Sequence, residues 1–258
     1  MTDEELVRRM FTCGVCRFDK YDRSTVVMQL SQDSLAWGQQ ALVAAARRLR
    51  PELQLALMID EDVLPLLPDM VGKQPPDRVY RELTVDWQVC SPRLDRLRAR
   101  LHRHAAPPVR IDARACRAMD DIEVATLLDG YLASYSQALF FFPDSAFDPA
   151  EFGHYLIGRD AAGQPYGLCK LVSSDQAMFA EILYGRGSAR ANVAFIAEGL
   201  ALLRDSLDQE FTVIASVNAV TTLLRDIGFT LRRSMYVYLL PPMATQTPPP
   251  VATADSPT

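Results

Sequence analysis

Glu181 is a carboxylate set in an apolar stretch, Ala180-Glu181-Ile182-Leu183, just before the glycine-containing loop Gly185-Arg186-Gly187-Ser188. If that stretch lines a cleft, burial raises the carboxyl pKa and suits Glu181 to act as a general base, directly or through a water. On the outer face of an alternating strand it is simply a solvated acid. Tyr236 and Tyr238 are two residues apart and share one sheet face, where either hydroxyl suits a proton donor or either ring an ordinary packing role. Arg186 and Arg190 carry the charge to pair with phosphates, or are plain surface arginines. Cys13-x-x-Cys16 has the spacing of half a zinc site, but no second pair follows, and the loop-like residues after it argue against a redox motif. Two apolar thiols near the start of a fold is the better account, and no metal is expected. His102 and His104 fall in a linker, His154 stands alone, and no Ser/His/Asp or Cys/His triad assembles.

These residues need a scaffold, and the hydrophobic pattern predicts one. Strands are expected over 25–30, 53–59 and 78–87, with a helix over 34–48 and a short helix over 62–70. The second half reads as a short strand over 109–113, a helix over 122–135, strands over 155–159, 167–172 and 177–184, and a helix over 193–207. A strand over 212–217, a short helix over 221–227 ended by Gly228 and capped by Asn218, and a strand over 236–240 close the pattern. The order β-α-β-α-Gly-β occurs at 25–87 and again at 177–239, an internal repeat in element order. The fold class is α/β, with helices layered on a mostly antiparallel sheet.

Composition bounds the function. The chain has 258 residues, a net charge of −5 and 49% apolar residues, which describes a globular protein with a sizeable core. The acidity argues against nucleic acid as a partner, and the basic residues between Arg93 and Arg117 read as the solvated face of a helix and a linker. No apolar run is long enough to span a bilayer, and Met1-Thr2-Asp3-Glu4-Glu5 lacks the pattern of a signal peptide. Five cysteines, an odd count, fit a reducing cytoplasm. Residues 241–258 hold six prolines and read as a disordered tail.

The segment from about residue 108 to 240 resembles the GNAT superfamily of N-acyltransferases. The resemblance rests on a strand, the loop Gly185-Arg186-Gly187-Ser188-Ala189-Arg190-Ala191, a helix, a strand with Asn218, a helix, Gly228-Phe229 and Tyr236 in a closing strand. The two-part chain further resembles the nucleotide-sugar (dTDP-fucosamine type) N-acetyltransferases. That implies a half-GNAT-like unit over 1–105, a complete GNAT-like domain over 106–240 and the tail. The family's loop holds the pyrophosphate of acetyl-coenzyme A through consecutive N–H groups at a helix N-terminus, with small residues permitting close approach.

The resemblance implies acetyl-CoA or another acyl-CoA as co-substrate and a small-molecule amine, such as an amino sugar, as acceptor; the hydropathy pattern gives no membrane partner. Ile182, Leu183, Arg186, Gly187, Ser188, Ala189, Arg190, Ala191 and Asn218 fall at the coenzyme positions. Glu181 is the expected base and Tyr236 the proton donor to sulfur. Tyr135, Phe141 and Asp144 lie on the connection expected over the acceptor site, an aromatic-rich loop that serves equally as a homodimer contact or core lid. Ala189 replaces the family's central glycine, and the spacing from Asn218 to Gly228 is one residue short. Leu224 stands where the family commonly has a tyrosine acid. A catalytically degenerate binding protein, or a transferase using an acyl-carrier-protein thioester, are the alternatives.

Overall fold

The computed structural model describes residues 2–13, 15–18, 25–32, 39–49, 51–66, 74–103, 109–134, 150, 152–173, 177–206 and 210–243. The chain divides into two compact units, residues 1–77 with 236–258, and residues 78–235.

The first unit opens with helix α1 (Asp3–Thr12), started by a capping box in which the Glu5 N–H donates to Thr2 Oγ1 and the Thr2 N–H donates to the Glu5 carboxylate. Strand β1 (Cys16–Phe18) pairs antiparallel with β2 (Thr25–Leu30), and β2 pairs parallel with β3 (Gln54–Asp60). Parallel neighbours need a crossover, which helix α2 (Gln39–Leu49) supplies. Met28, Leu30, Leu57, Ile59 and Val43 form its apolar core. The end of the chain completes this unit: the Asp77 N–H donates to the Val237 carbonyl, the Leu239 N–H donates to the Asp77 carboxylate, and Tyr238 is buried in the core. The short helix expected over 62–70 is a 3-10 turn at Leu64–Leu66, and residues 67–70 lie outside the described residues.

The second unit contains β4 (Arg78–Val85), α3 (Trp87–Arg103), β5 (Arg110–Arg117), α4 (Ile122–Ser134), β6 (Phe152–Arg159), β7 (Pro165–Ser173) and β8 (Ala177–Gly185). It continues through α5 (Ala189–Ser206), β9 (Glu210–Ala215) and α6 (Asn218–Asp226) into β10 (Phe229–Leu240), whose last residues belong to the first unit. The strand order is β10-β4-β9-β8-β7-β6-β5 here and β1-β2-β3-β10 in the first unit. Among the pairs with a defined register, only β2 with β3 and β8 with β9 are parallel. This is the mixed α/β architecture the hydrophobic pattern predicts.

The compact units cut the chain at 77/78 and 235/236, where the sequence suggested 105/106 and 240/241. The cause is an exchange of closing strands. β4, which ends the first copy of the repeat, pairs antiparallel with β9 of the second copy, and residues 236–240, which end the second copy, join the first unit. α3 follows β4: Cys90 and Leu94 are buried with Phe195, Leu200 and Phe211, and Arg98 makes two hydrogen bonds to Glu198 of α5.

Helices α3, α5 and α6 share one apolar cluster with the sheet, whereas α4 packs Val124, Leu127 and Leu128 on Tyr155, Ile157, Leu168 and Tyr184 in another. β5 is longer than expected, pairing with β6 from Arg110↔Arg159 to Arg117↔Phe152. Arg159, mostly buried, joins Asp112 of β5 to Glu123 of α4. Gly228 takes φ +107° after α6, the left-handed helix end its position predicts.

Candidate functional site

Strand β8 carries an extra residue. Its ladder to β7 runs Lys170↔Ile182 and then Leu171↔Ala180, so Glu181 is a bulge with no partner on β7. On its other edge β8 pairs with β9 from Ala177↔Glu210 to Ala180↔Val213, and among the described residues the pairing stops there. β9 continues against β4 through Ile214 and Ala215. A bulge bends its strand and ends regular pairing, and the two strands part after the Ala180–Val213 rung. Residues 181–185 of β8 therefore keep β7 on one side and turn a free backbone edge to the gap.

The loop at the end of β8 is shaped by close approach. A Cβ on Gly185 would lie 2.2 Å from Asn192 Oδ1, and one on Gly187 would lie 2.9 Å from both Ala191 Cβ and the Tyr166 ring. A side chain at Gly185 would force Asn192 to move, and one at Gly187 would force Ala191 or Tyr166 to move. The Asn192 amide Nδ2 donates to the carbonyls of Gly185 (3.4 Å) and Gly187 (3.2 Å), drawing both toward the helix. The Arg186 N–H is held by the Tyr166 carbonyl. Ser188 caps α5: its Oγ accepts from the Ala191 N–H and its carbonyl from the Asn192 N–H. With the carbonyls turned inward and the cap made, the exposed first turn at Ser188, Ala189 and Arg190 presents the positive end of the helix to solvent.

Tyr166, beneath the loop, donates its hydroxyl to the Ala191 carbonyl at 2.9 Å and meets Phe195 edge to face. Burial pushes its pKa up to about 12, so it stays a neutral donor. Phe195 lies over a pair of facing glycines, Gly158 of β6 and Gly167 of β7, which leave the space its ring fills.

A small apolar cavity of about 30 Å³ lies beside the Ala180–Val213 rung. Ala180, Leu183 and Val213 wall it on the strand side, Ile196 and Leu200 on α5, and Leu224 on α6. Leu224, at the position where the resemblance implies a tyrosine, is almost fully buried.

The structure brings the loop, Leu183 and the backbone of Glu181 and Ile182 together in the second unit. Other assignments fall differently. Asn218 does not cap α6: Val217 occupies the cap without a side-chain bond, and Asn218 Oδ1 accepts from Arg81 of β4 at 2.9 Å. The tertiary partner wins over the local cap because Arg81 supplies a charged donor. Arg186 turns toward α4, donating to the Tyr184 hydroxyl and the Thr126 carbonyl and covering Gly130, so its guanidinium ties the loop to that helix. Tyr236 is half-buried against the core of the first unit, beside Tyr238. Tyr135, Phe141 and Asp144 lie outside the described residues. Cys13 and Cys16 are free thiols, the first exposed and the second buried. Among the described residues no group of three His, Cys, Asp or Glu side chains is arranged to hold a metal ion, and no helix is long and apolar enough to cross a membrane.

Asn192 and Tyr166 are the participants that sequence reading passed over. Each had a signal: Asn192 is a polar residue one turn into an apolar helix, and Tyr166 is a phenol in a buried strand that requires a partner.

No protein-family model matches the chain, and no curated protein matches it. Solved structures do. A GCN5-related N-acetyltransferase from Sphaerobacter thermophilus aligns at a TM-score of 0.51 and 12% identity, over 87% of this chain and 75% of that one. A tandem GNAT protein from the clavulanic acid biosynthesis pathway gives 0.51 and 11%, over 84% and 75%. The C-terminal domain (DUF2156) of a putative lysylphosphatidylglycerol synthetase from Agrobacterium fabrum gives 0.50 and 14%, over 92% of each chain. The chain therefore has a GNAT-like fold, distantly related in structure to these proteins.

Proposed function

We propose that this protein is an N-acyltransferase that takes its acyl group from an acyl-coenzyme A thioester and delivers it to a small-molecule amine, such as an amino sugar. The observation that carries this reading is the parting of β8 and β9 at the Glu181 bulge, directly before the exposed N-terminus of α5. Pantetheine is an extended arm with two amides, and the free edge of β8 offers it strand-like backbone partners. The first turn of α5 offers N–H groups and helix polarity to the pyrophosphate, with Arg190 alongside. Glu181 serves as the base that leaves the amine neutral. Tyr135, Phe141 and Asp144 are proposed as acceptor-contacting residues from the resemblance alone. Free thiols at all five cysteines are in keeping with a cytoplasmic setting.

Titration of the protein with CoA and acetyl-CoA, followed by a thiol-release screen over amine pools, tests the reading. Saturable binding with acceptor-dependent thiol release is the expected result, and absence of binding removes it. The second reading, a binding protein that retains the fold without turnover, is favoured by Leu224, which stands where the resemblance implies a tyrosine. It predicts thioester binding with no thiol release for any amine. A carrier-protein donor would bind through the same pantetheine edge.

A further inference from the structure

β5 stands last in the strand order, and its outer edge has no strand partner among the described residues. Edges of this kind are ordinarily blunted by a proline, a lysine, a bulge or a very short strand. β5 has none of these. Its eight residues include no proline, glycine or lysine, and they pair with β6 without a register shift. Ala113 and Ala115 are exposed on it. The three most exposed large apolar side chains among the described residues are Ile122 (79%), Phe152 (64%) and Met119 (61%). All three belong to one end of this edge: Phe152 lies opposite Arg117 in the ladder, and Met119 and Ile122 follow the strand in the chain. A cluster of exposed apolar side chains beside an open edge marks an interaction surface.

The charges on β5 select its partner. Two copies of one strand joined about a twofold axis run antiparallel, with one residue facing its own copy. Centred on Ala113, such a pairing engages the strand from Arg110 to Cys116 and sets Asp112 opposite Arg114 of the second copy, twice by symmetry. Alternate residues share a face, so the other face brings Ala113 to Ala113 and Ala115 to Ile111. Neighbouring registers lack this match. Centring on Asp112 opposes Asp112 to itself and Arg110 to Arg114, and centring on Arg114 opposes Arg114 to itself. Centring on Ala115 pairs no opposite charges, and centring on Ile111 pairs Arg110 with Asp112 but engages only Arg110 to Asp112. Opposite charges directly across a ladder stabilise it, and like charges destabilise it.

We infer that the β5 edge is an interface to a second copy of this chain, joined β5 to β5 about a twofold axis at Ala113. In that register the end of one strand lies at the start of the other, so Met119, Ile122 and Phe152 of each copy come beside the first residues of β5 in the second. The arginines and the aspartate that guard the edge against other strands become the feature that admits this one.

Sedimentation of the full chain over a wide range of concentration tests this, with a concentration-dependent dimer expected. Ala113→Lys sets two ammonium groups face to face at the axis and should weaken the dimer by more than about tenfold. Because Ala113 is exposed, Tm should hold. Ala113→Cys tests the register. The Cβ atoms of directly opposite residues lie about 5 Å apart, so a short bis-maleimide should join two Ala113→Cys chains well above the level of the parent chain, whose Cys13 is exposed. A parent chain that stays monomeric at every concentration overturns the inference, and so does a dimer that Ala113→Lys leaves intact. Should Ala113→Lys lower Tm, the Ala113→Cys cross-link decides: capture of the dimer supports the inference, and no capture overturns it.

Discussion

The side-chain amide of Asn192 donates to the carbonyl oxygen of Gly187 across 3.2 Å, and through that bond the first turn of α5 sets the path of the loop before it. Asn192→Ala removes this bond and the one to Gly185, leaving two carbonyls without their partner. A loss of about 1–3 kcal/mol in stability is expected, with weaker coenzyme binding in the folded fraction. Thermal melts beside calorimetric titration measure both, and unchanged affinity would show that the loop's path does not matter to binding.

Ala189→Glu separates helix chemistry from ligand chemistry. A carboxylate in the first turn favours the helix dipole by about 0.3–1 kcal/mol, so Tm should hold or rise. The same carboxylate would stand where the pyrophosphate is placed, so affinity for CoA should fall by more than tenfold, with the loss shrinking at high salt. Equal affinity in the two proteins would put the anion elsewhere.

Gly158→Ala should destabilise the second unit, because the new methyl would lie 2.5 Å from the Phe195 ring. Overpacking of this kind costs about 1–3 kcal/mol. Phe195→Leu on the same background should recover part of that loss, and a double-mutant cycle by chemical denaturation reads the coupling directly.

Asp112 and Glu123 have their carboxyls held below the ordinary range, first by hydrogen bonds from Arg159 and further by its charge and that of Arg114. Depressed folded-state pKa values mean that the unfolded chain binds more protons at acidic pH, so stability rises with pH there. Their contribution is complete above the ordinary carboxylate range, near pH 4, and is lost as pH falls through the lowered folded values. Arg159→Gln should flatten this acid limb of a Tm-against-pH profile; a limb of unchanged steepness would assign it to other carboxylates.

Glu181→Gln preserves shape and removes the base, so turnover should fall by about 10²–10⁴-fold while thioester binding survives. Tyr236→Phe distinguishes a proton donor from a packing ring: turnover falls in the first case, and neither rate nor Tm changes appreciably in the second. The thiol-release assay, run with an acceptor found by screening, checks both.

Local chemistry made much of this protein legible from its sequence. Strand β2 falls at 25–30 as its β-branched run requires, Gly228 ends α6 in the left-handed conformation, and the glycine-containing segment 185–188 leads into a helix, which starts at Ala189 rather than at 193 because Ser188 caps it. The repeat of element order reflects two parallel pairs, β2 with β3 and β8 with β9, each bridged by a crossover helix. Non-local pairing decided the rest. No spacing in the sequence tells β4 to pair with β9, because alternation fixes which side chains share a face and says nothing about which strand lies alongside. The bulge at Glu181 arises from the mismatch between β8 and β7, a property of two strands together. Asn218 and Arg186 look like a cap and a phosphate ligand when read locally, yet the folded chain gives the first to Arg81 and the second to α4, since a partner delivered by tertiary structure outcompetes the local one. The cavity that Leu224 and Gly199 help to wall exists only where β8, β9, α5 and α6 meet, so its emptiness is a fact of packing that no residue pattern records.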